Sequence, residues 1–356
     1  MKVSVDAFTF SYICHISRIF PKTLFIGKPV IAFVTGGYSS EAVISYKSAI
    51  TIEKHLDHSR YEVYRIDITP EKWFHTTKDG VELMVNKGDF SLDLGTQTVR
   101  FDAVFIGIHG TPGEDGKLQA YFDLLNIPYT SCDATTSAIT FNKRFTVAVA
   151  GASGFHVARS VHLFKSSYDQ SSNSVEGLQL PVFVKPNNGG SSIGMSKVNR
   201  AEDLQEAIAK AFREDDQVLI EEFISGREFT IGVFRSKGKI ITLPFTEIST
   251  DNEFFDFEAK YQGKSVEVTP AVCSDEMAGK IRNAAAGIYA VFNCRGVVRM
   301  DFIYNTEQDK PYLLEINTVP GQSAASIIPQ QVAAMGLVLS DFYSMLIDDA
   351  LETAKK

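Results

Sequence analysis

Two neighbouring stretches, Gly296 to Tyr304 and Pro311 to Asn317, alternate side chains with the period of a β-strand, and a polar turn from Asn305 to Lys310 joins them. Arg299 and Asp301 share one face, as do Glu315 and Asn317. Those faces also carry Val297, Ile303 and Leu313, while Val298, Met300, Phe302, Leu314 and Ile316 fill the opposite ones. Both sides of the hairpin are therefore expected to be at least partly buried, and charges placed there need partners. Asp301, Glu315 and Asn317 offer two carboxylates and an amide oxygen with no Cys or His nearby. That is a hard-oxygen set, suited to Mg²⁺ shared with phosphate oxygens. The alternative is a half-exposed hairpin with a polar outer face.

A second segment favours the phosphate reading. Leu180 to Lys185 is an apolar strand ending in Lys-Pro, and Asn187-Asn188-Gly189-Gly190-Ser191-Ser192-Ile193-Gly194 follows before another short strand from Met195. Here the lysine precedes the glycines, whereas in a Walker loop it follows them and opens a helix. Small residues let backbone N–H groups close over phosphate oxygens, and Lys185 adds a cation from the preceding strand. Standing alone, the segment reads as an ordinary hairpin. With a carboxylate metal site downstream it reads as a nucleotide clamp.

The first part of the chain alternates strand and helix. Pro29 to Thr35 is predicted as a strand that turns through Gly36 and Gly37 into a helix near Ser40, with an apolar face of Val43, Ile44, Ile50 and Leu56. A dinucleotide fold is the rival. Its third glycine is missing, and Ser39, Ser40 and Glu41 stand where a pyrophosphate would need close backbone approach. Strands are predicted again at Tyr61 to Ile68 and Phe101 to Ile108, separated by irregular polar sequence. In an open α/β sheet the ligand binds at the carboxyl ends of the strands, which puts Glu41 and His109 at a crevice. Glu41 could equally serve the helix N-terminus, where the dipole favours a carboxylate.

Further on, Ala201, Leu204, Ile208 and Phe212 recur at helical spacing and read as core, and Gln217 to Phe223 reads as a strand. Phe183, Met195, Phe223, Phe254 and Leu314 are candidates for an apolar slot that takes a base. The polar stretch Ser249 to Val268 is long enough to serve as a lid, with Phe254, Phe255 and Phe257 to seal a site against water.

Composition sets limits. A chain of 356 residues with 44% apolar content should form two or three domains with real cores. The net charge of −8 argues against a nucleic-acid partner, and no apolar run approaches a membrane span. Cys14, Cys132, Cys273 and Cys294 show neither metal spacing nor the density of a secreted scaffold, as expected of reduced thiols in a cytoplasm. Asp6, Ser11, His15 and Arg18 interrupt any apolar core near the N-terminus, so no signal peptide is indicated.

Four sets of runs stand out: Val184-Lys185-Pro186 with Gly190-Ser191-Ser192-Ile193-Gly194-Met195; His109-Gly110 with Gly113-Glu114-Asp115-Gly116-Lys117-Leu118-Gln119; Glu258-Ala259-Lys260-Tyr261; and Leu314-Glu315-Ile316-Asn317-Thr318 with Pro320-Gly321. Together they resemble the D-alanine:D-alanine ligase family of the ATP-grasp superfamily. The resemblance runs from Lys28 to about Leu351. It implies an α/β and α+β architecture: an N-terminal open α/β domain over 28–132, a central ATP-grasp lobe over 133–225, and a C-terminal lobe over 226–351 whose lid is 249–268. Residues 1–27 fall outside it and are expected to be a disordered extension or a mis-assigned start.

The resemblance also implies chemistry. ATP would lie between the two later lobes, with Lys143 and Lys185 on its phosphates, the strand end Glu221-Glu222-Phe223-Ile224 at adenine, Glu228 at ribose, and Met195 and Phe254 beside the base. Asp301, Glu315 and Asn317 would hold two Mg²⁺ ions, with Mn²⁺ as a substitute. Glu41 would take the ammonium of the first D-alanine and join Ser191 and Tyr261, and Lys260 would face the transferred phosphate. Arg299 and the Gly321 N–H would hold the oxyanion, Ser326 the second substrate's carboxylate, and His109 is a candidate acceptor for the amine proton. Val43 stands where many relatives carry a second acid, and Glu222 where many carry lysine. The implied product is D-alanyl-D-alanine, made through a D-alanyl phosphate for peptidoglycan and cell shape, by a homodimer in the cytoplasm. A sister ligase using D-serine or D-lactate, and a non-catalytic ATP-binding protein, are the alternatives.

Overall fold

The computed structural model describes residues 27–169, 177–190, 192–250 and 265–353, and three β-sheets organise them. The first sheet contains β1 (Val30–Gly36), β2 (Glu62–Ile68), β3 (Trp73–Thr76), β4 (Glu82–Asn86), β5 (Ser91–Asp93), β6 (Thr98–Val99) and β7 (Ala103–Ile106), in the order β6-β5-β4-β3-β2-β1-β7. β1 pairs in parallel with β2 and β7, and β1 and β7 read in the sequence as apolar runs because both of their faces are covered, whereas β2 carries Glu62, Arg65 and Asp67 and is only half buried. The stretch between β2 and β7, read as irregular, instead holds four short antiparallel strands. Strands of two to five residues are too short to show a period.

Helix α1 (Ala42–His55) follows the glycine turn as expected, but turned differently. Its buried residues include Ser45, Ser48, Ala49, Thr51 and Ile52, whereas Val43 and Ile50 are 60% and 70% exposed. Ser45 and Ser48 face inward and bond neighbouring loops: Ser45 Oγ accepts from the His109 N–H and Ser48 Oγ from the Gln322 N–H. Helices α2 (Lys117–Leu125), α3 (Ala134–Phe141) and α4 (Lys143–Ala152) come next. Asp133 caps α3 by accepting from the Thr136 N–H, and Asn142 caps α4 by accepting from Phe145.

The strands of the middle region are β8 (His156–Val157), β9 (Ser160–Phe164), β10 (Val182–Pro186), β11 (Ser196–Val198) and β12 (Gln217–Glu222). All but β8 form an antiparallel sheet, β11-β10-β12-β9. Helix α5 (Leu204–Ala211) buries Leu204, Ile208 and Ala211 on one face of it, against Val182, Val184, Val218 and Ile220. Ala201, expected in that core, is exposed in a 3₁₀ turn ahead of the helix.

The third sheet contains β13 (Arg227–Ser236), β15 (Thr246–Thr250), β16 (Ser265–Val268), β17 (Val297–Asn305) and β18 (Lys310–Asn317), with β14 (Lys239–Thr242) beside β13 and β8 parallel to β18. Helix α6 (Asp275–Val291) buries Ile281, Ala285, Ile288 and Tyr289 against Met300, Phe302 and Ile316. The presumed structureless lid begins and ends in strand, Ser249 opposite Val266 and Thr250 opposite Ser265. Its remainder, with Phe254, Lys260 and Tyr261, lies outside the described residues, as do Ser191 and the first 26 residues.

Two last helices, α7 (Ile327–Ala334) and α8 (Leu339–Thr353), bind the ends of the molecule together. Phe342, Tyr343, Leu346 and Ile347 join Phe33 and Phe105 of the first sheet and Ile52 of α1 to Phe234 of the third sheet and Leu243 just after β14 in one core. That shared core fixes the crevice of the first sheet over the third. Among the described residues no helix is long and apolar enough to cross a membrane.

Candidate active site

The hairpin that opened the sequence analysis is the β17–β18 pair. Arg299 lies opposite Asn317 and Asp301 opposite Glu315, after which the register slips and Phe302 meets Leu313. Leu314 is the extra residue of a β-bulge. Strict alternation puts Leu313 with the acids and Leu314 with the core; the bulge reverses them. Leu313 is buried with Met300, Phe302 and Ile316, and Leu314 lines the same cavity as Asp301, Ile303 and Glu315.

Opposed carboxylates on paired strands repel, and Arg299 offsets them. Its Nε and Nη2 each lie 2.9 Å from an Asp301 oxygen, and Nη2 is 3.7 Å from Glu315. Burial works against the guanidinium charge, but Asp301 overrides it and raises the pKa of Arg299. Behind Asp301 the buried Thr230 hydroxyl donates to Oδ1 at 2.5 Å. Asn317 Oδ1 accepts from the Val319 N–H at 3.1 Å, which turns the chain leaving β18. Two acids sharing one cation, with an amide oxygen on the adjoining strand, fit a hard divalent ion.

These acids form one wall of a cavity of about 600 Å³. Lys143 and Lys185 stand on another, with Glu221, Phe223, Ile224, Met195 and Glu228 around the same space and Glu41 at the first sheet's end. Lys143 is the first residue of α4, and its Nζ donates to the Gly189 carbonyl at 2.6 Å. The buried Asn187 seats the glycine loop there: its side-chain oxygen accepts from the Arg144 N–H and its carbonyl from the Lys143 N–H. Lys185 makes a buried ion pair with Glu221. Glu222 borders the same cavity, and its carboxylate accepts from the Gln179 N–H and pairs with Arg159. Phe183 and Phe223 put their ring centres 6.0 Å apart, with the Lys197 ammonium 4.6 Å over Phe223.

Glu41 precedes α1 but makes no side-chain cap. Its carboxylate lies so close to Gly110 and Gly190 that a β-carbon on either would fall 2.5 or 2.7 Å from a carboxylate oxygen. The first sheet and the glycine loop thus meet through an acid and two glycines.

Arg299, Asn317, Gly321 and Ser326, expected in the site, do not line this cavity; Arg299 and Asn317 adjoin the acids on β17 and β18. A β-carbon on Gly321 would lie 2.8 Å from Ser326 Oγ, so hydroxyl and loop backbone are neighbours. Ser326 precedes α7 without capping it and bonds Ser323 Oγ at 2.8 Å. His109 lies apart, lining a second space of about 20 Å³. Its Nε2 is 2.9 Å from Ser48 Oγ, which also accepts from the Gln322 N–H, and the ring bonds the Val319 backbone. Burial pushes its pKa down to about 4, so the ring is neutral and braces the 319–322 loop from both ends.

Glu114 is a site residue that the sequence reading quoted but gave no role. It is buried, accepts from the Gly110 N–H at 2.6 Å and lies 3.4 Å from the Val319 N–H. Burial, and then the charge of Glu41, push its carboxyl up to about 8. Ser48, Thr230 and Gln322 carried no sequence signal, because single hydroxyls and amides are common in any helix or loop.

An antiparallel lobe and a larger sheet closing on one nucleotide-sized cavity, lysines on one wall and acids on the other, define an enzyme of the ATP-grasp class. The chain belongs to the D-alanine:D-alanine ligase family. Residues 30–132 match the family model described as D-ala D-ala ligase N-terminus, and 148–348 that described as D-ala D-ala ligase C-terminus. A D-alanine–D-alanine ligase of Flavobacterium johnsoniae is 44% identical over 321 residues, 90% of this chain and 99% of the relative. Among solved structures, the VanG D-Ala:D-Ser ligase of Enterococcus faecalis superposes with a TM-score of 0.82 at 30% identity, over 90% of this chain and 99% of that one. The ATP complex of the Bacillus anthracis D-alanine–D-alanine ligase gives 0.74 at 26% identity, over 92% and 99%.

Proposed function

We propose that the chain joins two D-alanines to D-alanyl-D-alanine at the expense of ATP, releasing ADP and phosphate, and so supplies peptidoglycan synthesis. The observation that carries this reading is the single cavity that collects Glu41 from the turn between β1 and α1, Lys143 from the first turn of α4, Lys185 from β10, and Asp301 and Glu315 from β17 and β18.

In this reading Lys143 and Lys185 hold the phosphates, and Lys185 leaves Glu221 to do so. Glu221, Phe223, Ile224 and Met195 receive the base, and Glu228 the ribose. Asp301, Glu315 and Asn317 would hold Mg²⁺, two ions, with Mn²⁺ able to replace it. Bound there, the metal neutralises phosphate charge and favours attack by an anion. Glu41 orients the ammonium of the first D-alanine so that its carboxylate faces the γ-phosphoryl group. Two unit charges about 4 Å apart repel by roughly 4 kcal/mol at an effective dielectric near 20, and the lysines lower that barrier. The amine of the second D-alanine then attacks the D-alanyl phosphate, with Arg299 and the Gly321 N–H on the developing oxyanion and Ser326 on the incoming carboxylate. Neutral His109 serves as a brace for that loop. Ser191 and Tyr261 complete the Glu41 subsite, and Lys260 and Phe254 close over the nucleotide. The domain division at 132 and 225, a homodimer and a cytoplasmic setting belong to the same proposal.

The test is phosphate release from ATP and Mg²⁺ with D-alanine, with L-alanine as control and the product identified by mass. D-alanyl-D-alanine from the D-isomer alone is expected. D-serine and D-lactate supplied as acceptors separate the sister activities, one of which is named for the VanG structure. ATP binding without phosphate release or dipeptide would favour the non-catalytic reading.

A further inference from the structure

Gln331 lies on α7, five residues beyond Ser326, and is wholly buried. Its amide is fully used. Oε1 accepts from the Gly232 N–H at 2.8 Å, and Nε2 donates to the Thr230 carbonyl at 2.9 Å and to Thr246 Oγ1 at 3.0 Å. Those backbone groups are not arbitrary. On β13 Thr230 stands opposite Asp301 and Gly232 opposite Arg299. The Thr230 hydroxyl itself donates to Asp301. Gly232 also sets how near the helix lies: a β-carbon there would come within 2.6 Å of Leu243, 2.7 Å of Ile328 and 2.9 Å of Gln331 Oε1. One side chain therefore ties the helix that begins at Ser326 to the two residues backing the Arg299–Asp301 pair.

We propose that Gln331 is a positioning residue that fixes the acceptor subsite at Ser326 and Gly321 relative to the reacting centre at Arg299 and Asp301. It touches no substrate. Unpaired amides inside a sheet are costly, so removing the glutamine frees the helix end to shift while the sheet stays whole. A small displacement of the acceptor amine slows its attack and leaves the acyl phosphate to water. The inference rests on the functional reading above.

The experiment compares wild type with Gln331→Met and Gly232→Ala, the second moving the helix by bulk with no polar partner removed. Initial rates give constants for ATP and for both D-alanine sites, and phosphate and dipeptide are counted together. For each variant the weaker D-alanine constant is expected to rise about tenfold, with ATP binding within about twofold and phosphate released in excess of dipeptide. A lower melting temperature with unchanged acceptor constant and matched products would overturn the inference, leaving Gln331 a packing residue. If Gln331→Met does not fold, Gly232→Ala decides by the same readouts. A wild-type chain that makes no dipeptide would overturn the functional reading, and the inference with it.

Discussion

Arg299 grips Asp301 from two positions earlier on the same strand, with two parallel hydrogen bonds of 2.9 Å. A fork of this kind fixes both groups and leaves Arg299 Nη2 near Glu315 as well. The guanidinium thus holds both acids in place.

Arg299→Met separates these duties from nucleotide binding. Turnover to dipeptide is expected to fall about a hundredfold to a thousandfold, the usual loss for one oxyanion donor. ATP binding, measured by calorimetry, should persist. Removing one member of a buried ion pair leaves its partner uncompensated, so the melting curve should also show a loss of about 3–5 kcal/mol. Unchanged ligation would remove Arg299 from the mechanism.

Glu114 and His109 give the fold opposite pH dependences. Glu114, ordinarily near 4.5, titrates at about 8 in the folded chain, so between those values the folded state keeps a proton the unfolded state has lost. Stability from this group is complete below 4.5 and drains away as pH rises to about 8. His109 drops from 6.5 to about 4, so its contribution is present above 6.5 and lost as pH falls through 4. The two slopes oppose each other between 4.5 and 6.5. From 6.5 to 8 only that of Glu114 remains, and urea titrations should show stability falling by about 1.4 kcal/mol per pH unit. Glu114→Gln should flatten that interval; an unaltered slope would show that another group is responsible.

Gly190→Ala puts a methyl group where the Glu41 carboxylate lies, 2.7 Å from an oxygen. The surface position of the loop should leave the melting temperature within about a degree, since exposed changes rarely exceed 0.5 kcal/mol. The first D-alanine site should weaken about tenfold, read from the tighter of the two D-alanine constants. Equal loss at both sites would mean that the loop, rather than Glu41, has moved.

The sequence was most legible where a period is long or a residue type is rare. The parallel strands β1 and β7 and the charged hairpin could be read because apolar runs and buried charges are informative in themselves. The short strands β3 to β6 could not, having no room for a period. Helix α1 misled because Ser45 and Ser48 turn inward to bond loops, while Val43 and Ile50 take the solvent side. Within the candidate site, lysines, acids and glycines were visible as types. Thr230, Ser48 and Gln331 were not, because their importance comes from partners 71, 61 and 101 positions away in the chain.

The slip at Leu314 makes strand length a determinant of chemistry. Removing Leu314 would leave Leu313 opposite Phe302 and Glu315 opposite Asp301 in even pairing, at the cost of the one leucine that the slip turns toward the cavity. Removing Ile316 instead would change no charged residue either, yet would turn Glu315 or Asn317 away from the acid face, because a one-residue slip reverses the faces of a strand. Insertions and deletions in this strand should consequently be tolerated less well than most substitutions in it, which makes the count of residues between Lys310 and Asn317 as much an inherited trait as their identity.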